Sequence, residues 1–161
     1  LIRPATAADI PALMSLERAC ATAAHWTDLQ YHKILQGGEG DPHRLMIVAD
    51  TFPQRPSGDS EKAKSEIGGF LVAQHLPPEW ELENIVVAPA ERRRGLGQQL
   101  IDVLLTAARN TNSEAVFLEV RESNLAARSL YEKARFELTG RRKAYYRNPP
   151  EDAVLYRLRL P

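Results

Sequence analysis

The segment best equipped for chemistry runs Glu83-Asn84-Ile85-Val86-Val87-Ala88-Pro89-Ala90-Glu91-Arg92-Arg93-Arg94-Gly95-Leu96-Gly97. It reads as a strand, a short loop and the start of a helix. The loop closes in Arg92-x-x-Gly95-x-Gly97, where the first helical amides have no acceptor within the helix. The helix dipole adds partial positive charge there, and glycines let an oxyanion come close to the backbone. Such a loop can cradle a diphosphate, and Arg92, Arg93 and Arg94 add charge beside it. It is not a Walker loop, because no Gly-Lys-Ser/Thr follows, and it lacks the first glycine of the dinucleotide fingerprint. A glycine pair that only turns the chain, with a solvated basic patch beside it, is the competing reading. Charge distribution favours an anionic ligand on the C-terminal half. Residues 1–90 carry 7 basic and 12 acidic side chains, and residues 91–161 carry 14 and 9.

Other side chains earn attention by their positions. In Ala115 to Arg121, Val116, Leu118 and Val120 share one face, so Glu119 lies on the other with Phe117 and Arg121. It is either a carboxylate available for proton transfer or the ion-pair partner of Arg121. Tyr131 sits on a short amphipathic helix beginning at Asn124, where a tyrosine is usually a core residue with a wet hydroxyl. Asn124 has the chemistry of an N-cap. His25, His32, His43 and His75 have no metal-ligand spacing, so no metal is expected. Cys20 reads as a core residue of the first helix.

These residues must be positioned by recognisable elements. Ile2-Arg3-Pro4 is at most a short edge strand. Thr6 to Cys20 reads as a helix whose apolar face holds Ile10, Leu13, Met14, Leu16 and Cys20, with Glu17 falling inside it. Thr27-Asp28-Leu29-Gln30 matches a capping box, and Trp26 and Tyr31 occupy the two positions of a hydrophobic staple. Gly37-Gly38-Glu39-Gly40 ends that region. Leu45 to Ala49, Ile67 to Gln74 and Trp80 to Val87 read as strands, with residues 51–66 between the first two as a long mobile hairpin loop. Gly95 to Ala108 is a helix, Ala115 to Arg121 a strand and Asn124 to Ala134 a helix. Phe136 to Thr139 opens a further strand, and Ala153 to Leu160 is the last. The order β-α-α-β-β-β-α-β-α-β-β describes a single mixed α/β sheet.

Composition bounds the answer. With 161 residues, one domain spanning 1–161 is expected. The 21 basic and 21 acidic residues cancel, which argues against a dedicated nucleic-acid binder. No apolar run approaches membrane-spanning length, and the N-terminal residues show no signal-type stretch. A single cysteine points to a reducing cytoplasm.

The run Leu118-Glu119-Val120-Arg121-Glu122-Ser123-Asn124, followed by Leu130-Tyr131-Glu132, resembles the GNAT superfamily of acyl-CoA N-acyltransferases. Within it the same motifs closely resemble the ribosomal-protein-alanine N-acetyltransferase (RimI type) branch. Arg141-Arg142-Lys143-Ala144-Tyr145-Tyr146 also resembles that branch, and His25-Trp26-Thr27 is similar to its Pro-Trp-Ser. The resemblance implies an α+β fold, with a mixed, mostly antiparallel sheet flanked by helices. It implies acetyl-CoA as acyl donor and the α-amine of a protein N-terminus, a ribosomal protein included, as acceptor. Amides of Arg92, Arg93, Arg94, Gly95, Leu96 and Gly97 would hold the CoA pyrophosphate. Backbone groups of Ile85, Val86 and Val87 would line the pantetheine arm, with Val87 N–H facing the thioester oxygen. Asn124 would hydrogen-bond pantetheine. Glu119 would be general base through water, with Glu83 its rival on the acceptor side. Tyr131 would meet the cofactor and protonate the leaving thiolate. Trp26 and Tyr146 would wall the acceptor groove. No nucleic acid or membrane partner follows, and a monomer or weak oligomer is expected. Two alternatives stay open: a small-amine acetyltransferase of the same fold, and a non-catalytic acyl-CoA-binding module. One departure is Arg135-Phe136, where the family commonly has Gly-Phe.

Overall fold

The computed structural model describes residues 1–38, 43–52 and 65–161. The strands are β1 (Ile2–Pro4), β2 (Arg44–Thr51), β3 (Glu66–Leu76), β4 (Glu79–Val87), β5 (Ala115–Arg121), β6 (Glu137–Arg147) and β7 (Pro150–Arg159). The α-helices are α1 (Ile10–Arg18), α2 (Asp28–Gln36), α3 (Leu96–Asn110) and α4 (Leu125–Lys133). The strands form one sheet in the order β1-β2-β3-β4-β5-β7-β6. Only β4 and β5 are parallel; every other neighbouring pair is antiparallel. The expected mixed sheet and element order are therefore present. The expected long loop falls largely on residues 53–64, and part of the glycine-rich turn on residues 39–42, both outside the described residues.

Alternation along the strands builds two cores, one on each face. Ile47, Ala49, Leu71 and Ala73 point towards α3, packing with Leu100, Ile101 and Leu104. Met46, Val48, Phe70 and Val72 point to the other face, where Ile10 and Leu13 of α1 and Tyr31 of α2 cover them. The α3 stripe Leu100, Ile101, Leu104, Leu105 and Ala108 is buried as its period requires.

The first helix is shorter than expected. Ala7–Asp9 is a 3-10 turn, and α1 covers only Ile10–Arg18, leaving Cys20 beyond its end. Pro11 stands in the first turn of α1, where its missing N–H is harmless, so the regular helix begins around it. Asp9 is held by Arg3 at 2.9 Å and by the Thr6 amide at 2.8 Å, which terminates the preceding turn. The Thr27–Gln30 capping box of α2 is present, and the Trp26 and Tyr31 rings meet edge to face at 5.6 Å. β6 and β7 extend well past the expected residues. The added part of β6 is exposed and polar, so it carries no apolar period to read.

The substitution of arginine for glycine after α4 keeps the left-handed turn. Arg135 has φ 72°, its amide donates to Glu132 O at 3.1 Å, and Phe136 N–H donates to Tyr131 O at 3.0 Å. These bonds make a Schellman motif, with the Phe136 and Tyr131 rings 6.0 Å apart as its apolar contact. The turn therefore holds Tyr131 despite a side chain that disfavours it. Arg135→Gly is expected to stabilise the fold by about 1 kcal/mol, raising Tm by about 2–4 °C in a thermal scan. An unchanged or lower Tm would show that the arginine side chain contributes contacts that offset the strain.

Candidate active site

The site begins with a change of phase in β4. Val72 pairs with Asn84 and Ala73 with Leu82, so Glu83 is an extra residue in a β-bulge. On one side of it Trp80 and Leu82 face the α3 core; on the other, Val86 faces the α1 and α2 core. The bulge thus turns Asn84 under α1 while Glu83 keeps a partly exposed position.

A parting of strands follows. β4 and β5 pair only at Glu79↔Ala115, Trp80↔Val116 and Glu81↔Phe117, although β4 continues to Val87 and β5 to Arg121. Ala88 N–H donates to Gly68 O at 2.8 Å, towards β3. Backbone groups alternate in direction along a strand, so those of Val87 and Ile85 point the opposite way, into the opening. An opening edged by free strand amides suits an extended amide-bearing chain such as pantetheine. The Val87 carbonyl already accepts from Arg92 Nε at 3.2 Å, which leaves its N–H as the free group there.

The loop at the mouth of this opening turns through two left-handed residues into the start of α3. Gly95 has φ 84° and Arg93 φ 62°, and α3 starts directly after. Gln99 N–H donates to Gly95 O at 3.1 Å. The amides from Arg93 to Gln98 have no acceptor among the described residues, as expected of a loop and first helical turn presented to an anion. The arginines divide their roles. Arg92 folds back onto Val87 and Cys20, its Nη2 lying 3.2 Å from the Cys20 thiol. Arg94 pairs with Glu91 at 3.1 Å, whereas Arg93 is exposed.

Gly97 has a reason besides anion approach. A Cβ there would stand 2.9 Å from Leu130 Cδ2 on α4. A larger residue would push on the helix that carries Tyr131, so it would not report on phosphate alone. Arg93→Asp is the cleaner probe, because aspartate tolerates the left-handed backbone. Reversing this charge is expected to weaken acetyl-CoA binding by roughly tenfold, more at low salt than at high, as read by titration calorimetry. Unchanged affinity would remove the cradle from the phosphate role.

On the β5 side of the opening stands Glu119, largely buried and 3.1 Å from Arg142 Nε. It is not paired with Arg121, the alternative that its strand position allowed. Arg121 instead bonds Glu151 at 3.4 Å and lies over the Tyr146 ring at 4.2 Å. β7 lies beside β5 and delivers Glu151, while β6 delivers Arg142, and this cross-strand competition was not visible along β5. Glu83, across the opening, is held by Arg44 at 3.0 and 3.4 Å through both carboxylate oxygens. Burial pushes Glu81 up from the usual carboxylate range, with the like charges Glu83 and Glu119 acting in the same direction. Tyr145 is pushed up by the Glu119 carboxylate at its hydroxyl. Burial, then Glu119, pushes Tyr146 up to about 12. Glu81, Glu83, Glu119, Tyr145 and Tyr146 therefore share one field. Sequence reading, which sets Glu81 beside Glu83 as acidic side chains able to attract a cationic peptide terminus, missed Arg142 and Tyr145 as members of this group. The repeated tyrosine was the only available signal for the last.

Tyr131 is buried between Phe136 and Tyr156, both 6.0 Å away between ring centroids. Burial, with Tyr146 adding to it, holds its phenol well above the usual range. Asn124 caps α4, accepting from Ala127 N–H at 3.2 Å, and its side-chain NH₂ is not needed for that bond. Among the described residues no cluster of His, Cys, Asp or Glu could hold a metal ion.

A split sheet with an amide-rich helix start at the mouth of the split can hold an extended amide-bearing chain that ends in an anion. Residues 11–136 match the acetyltransferase (GNAT) family, and the chain belongs to it. A ribosomal protein bS18-alanine N-acetyltransferase from Salmonella typhimurium is 31% identical over 153 residues, covering 93% of this chain and 90% of that protein. The crystal structure of the ribosomal-protein-S18-alanine N-acetyltransferase from Escherichia coli superposes with a TM-score of 0.72 at 26% identity, covering 99% of this chain and 92% of that one. A 90-residue stretch is 44% identical to an uncharacterized Mycobacterium leprae protein, of which it spans only 24%. Members of this fold have been solved with acetyl-CoA bound. The chain is an acetyl-CoA-dependent N-acetyltransferase.

Proposed function

We propose that the enzyme transfers the acetyl group to the α-amine of a protein N-terminus, a ribosomal protein being the first candidate. The observation that carries this reading is Glu119, a single largely buried carboxylate on the open stretch of β5, already holding a cation, the Arg142 guanidinium. An N-terminal ammonium is a cation that the same carboxylate can receive. The near full-length likeness to the Salmonella typhimurium enzyme supports the choice of acceptor.

Protonation favours the α-amine over lysine. An α-amine has a pKa of about 8 and a lysine about 10.4, a difference of roughly 3 kcal/mol in the work of presenting a neutral nucleophile. A lone carboxylate acting through water suits the smaller demand. Within this reading, the neutral amine attacks the thioester carbonyl. Val87 N–H stabilises the oxyanion, and Glu119 takes the amine proton by way of water. As the tetrahedral intermediate collapses, the C–S bond breaks and Tyr131 gives its proton to the departing sulfur. The backbone of Ile85, Val86 and Val87 and the Asn124 amide hold the pantetheine arm. Amides from Arg93 to Gly97 hold the pyrophosphate, the expected Arg92 amide being taken by Pro89 O at 3.4 Å, while Trp26, Tyr146 and Glu83 border the acceptor.

Among the described residues no helix is long and apolar enough to cross a membrane. The proposed site of action is the cytoplasm, with the protein acceptor as partner, no direct nucleic-acid contact, and a monomer or weak oligomer as the working form. Mass spectrometry of two peptides tests the acceptor. Label is expected on a peptide with a free α-amine and absent from the same peptide when its terminus is blocked and only an internal lysine remains. Equal labelling of both, or labelling of free small amines alone, would transfer the reading to a small-amine acetyltransferase.

A further inference from the structure

Glu17 has no part in the acetyl transfer described above, yet it is 1% exposed in the middle of an apolar face of α1. Carboxylates are rarely buried so fully unless every lone pair in reach is used. Here both oxygens are. Oε1 accepts from Asn84 Nδ2 at 2.7 Å, and Oε2 accepts from the Trp26 backbone N–H at 3.0 Å. The Tyr31 hydroxyl is buried close by, without a hydrogen-bond partner among the described residues.

The two partners of Glu17 belong to different parts of the site. Asn84 directly follows the bulged Glu83, and the bulge is what turns its side chain beneath α1. Trp26 ends the irregular loop that joins α1 to α2, directly after His25, whose φ of 55° is strained for a residue with a Cβ. The same loop touches β4 again at its other end, where the Cys20 thiol lies 4.0 Å from Val87 O. The loop is thus tacked along the free segment of β4 at two points, Cys20 on Val87 and Trp26 through Glu17 on Asn84. A strained loop with no ladder of its own is fixed by such tacks, and the Glu17 bridge is the stronger, having two short bonds shielded from water.

We propose that Glu17 is a positioning residue that sets acceptor affinity by locking the loop between α1 and α2, and with it Trp26, to β4 beside the acyl-transfer opening. This rests on the acceptor groove assigned above. Glu17 touches neither donor nor acceptor. It acts through the Trp26 backbone, so its loss enlarges the set of positions of one groove wall, while Cys20 at the far end of the loop keeps its contacts with Val87 and Arg92.

The test compares Glu17→Leu and Glu17→Gln in the full chain with an alanine-initiated peptide and acetyl-CoA. Glu17→Leu is expected to raise KM for the peptide by about tenfold or more while KM for acetyl-CoA stays within about twofold. Glutamine can accept from Trp26 N–H through its oxygen and donate to Asn84 if that amide turns over, so Glu17→Gln is expected to recover most of the peptide KM. Acrylamide quenching supplies a reading independent of turnover. Trp80 is 1% exposed and inaccessible to the quencher, so increased quenching in Glu17→Leu reports release of Trp26. Should the leucine variant not fold, Glu17→Asp, too short to reach both donors, takes its place. A peptide KM equal to wild type in the folded variant, or a matching rise in both KM values, overturns the proposal, as does unaltered quenching. Failure of the acceptor reading shows separately, as a wild type that ignores the peptide. Spermidine then serves as acceptor, and the same comparison of KM values decides on Glu17.

Discussion

Replacing Tyr131 with phenylalanine is expected to lower kcat by roughly 10²–10⁴, the range for loss of a positioned general acid. Among the described residues the Tyr131 hydroxyl has no hydrogen-bond partner, its surroundings acting on it through burial and the nearby Tyr146 phenol. Removing that oxygen therefore leaves no buried partner unsatisfied, and the packing against Phe136 and Tyr156 is retained. Acetyl-CoA affinity is expected to change by less than about threefold, so the effect falls on turnover. The pH profile carries a second sign. Burial raises the phenol above the usual 10, so deprotonation moves to higher pH and the acid form persists throughout the working range. Wild-type kcat is therefore expected to show no alkaline fall from Tyr131 below about pH 10. Thiol release measured from pH 6 to 10 checks both points. A phenylalanine variant with more than half of wild-type kcat would take the leaving-group role away from Tyr131.

The second large effect concerns the carboxylates. Glu119→Gln is expected to lower kcat/KM by about 10²-fold at pH 6, with the deficit shrinking as pH approaches the α-amine pKa of about 8. At low pH nearly all acceptor is protonated and depends on the base; near pH 8 about half is neutral already. Glu83→Gln is expected to be milder, because both Glu83 oxygens are bound by Arg44, which also bonds Gln74 at 3.3 Å. Glu119 is held less firmly, by the more exposed Arg142 and with the Tyr145 hydroxyl beside it. The two variants assayed side by side decide between them, and a larger loss from Glu83→Gln would move the base across the opening to β4.

Local chemistry was legible in the residues alone. The Thr27–Gln30 capping box and the Trp26–Tyr31 staple bond within a few residues, so their geometry follows from spacing. The α3 stripe, the alternation in β5 and the amide-rich start at Gly95 to Gly97 are equally local, each set by a backbone period or a helix end. The family motif around Glu119 and Tyr131 named the same stretches.

Contacts across strands were not legible. Which arginine meets Glu119 depends on β7 lying between β5 and β6, and the bulge in β6 sets where Arg142 and Tyr145 stand. The extra residue at Glu83 exists only relative to β3, yet it decides that Asn84 turns towards Glu17. Glu17 itself was an anomaly in a helical face, and its two donors come from a strand and a loop distant in sequence. Gly97 looked like a phosphate glycine, and only the approach of α4 shows that a Cβ there would also displace the Leu130 side chain. A hydrogen bond or steric limit within one turn is fixed by covalent spacing, whereas a bond between strands is fixed by the register and order of the whole sheet. Local spacing therefore sets the elements and the class of chemistry, whereas the order and register of the assembled sheet set which charges meet at its opening.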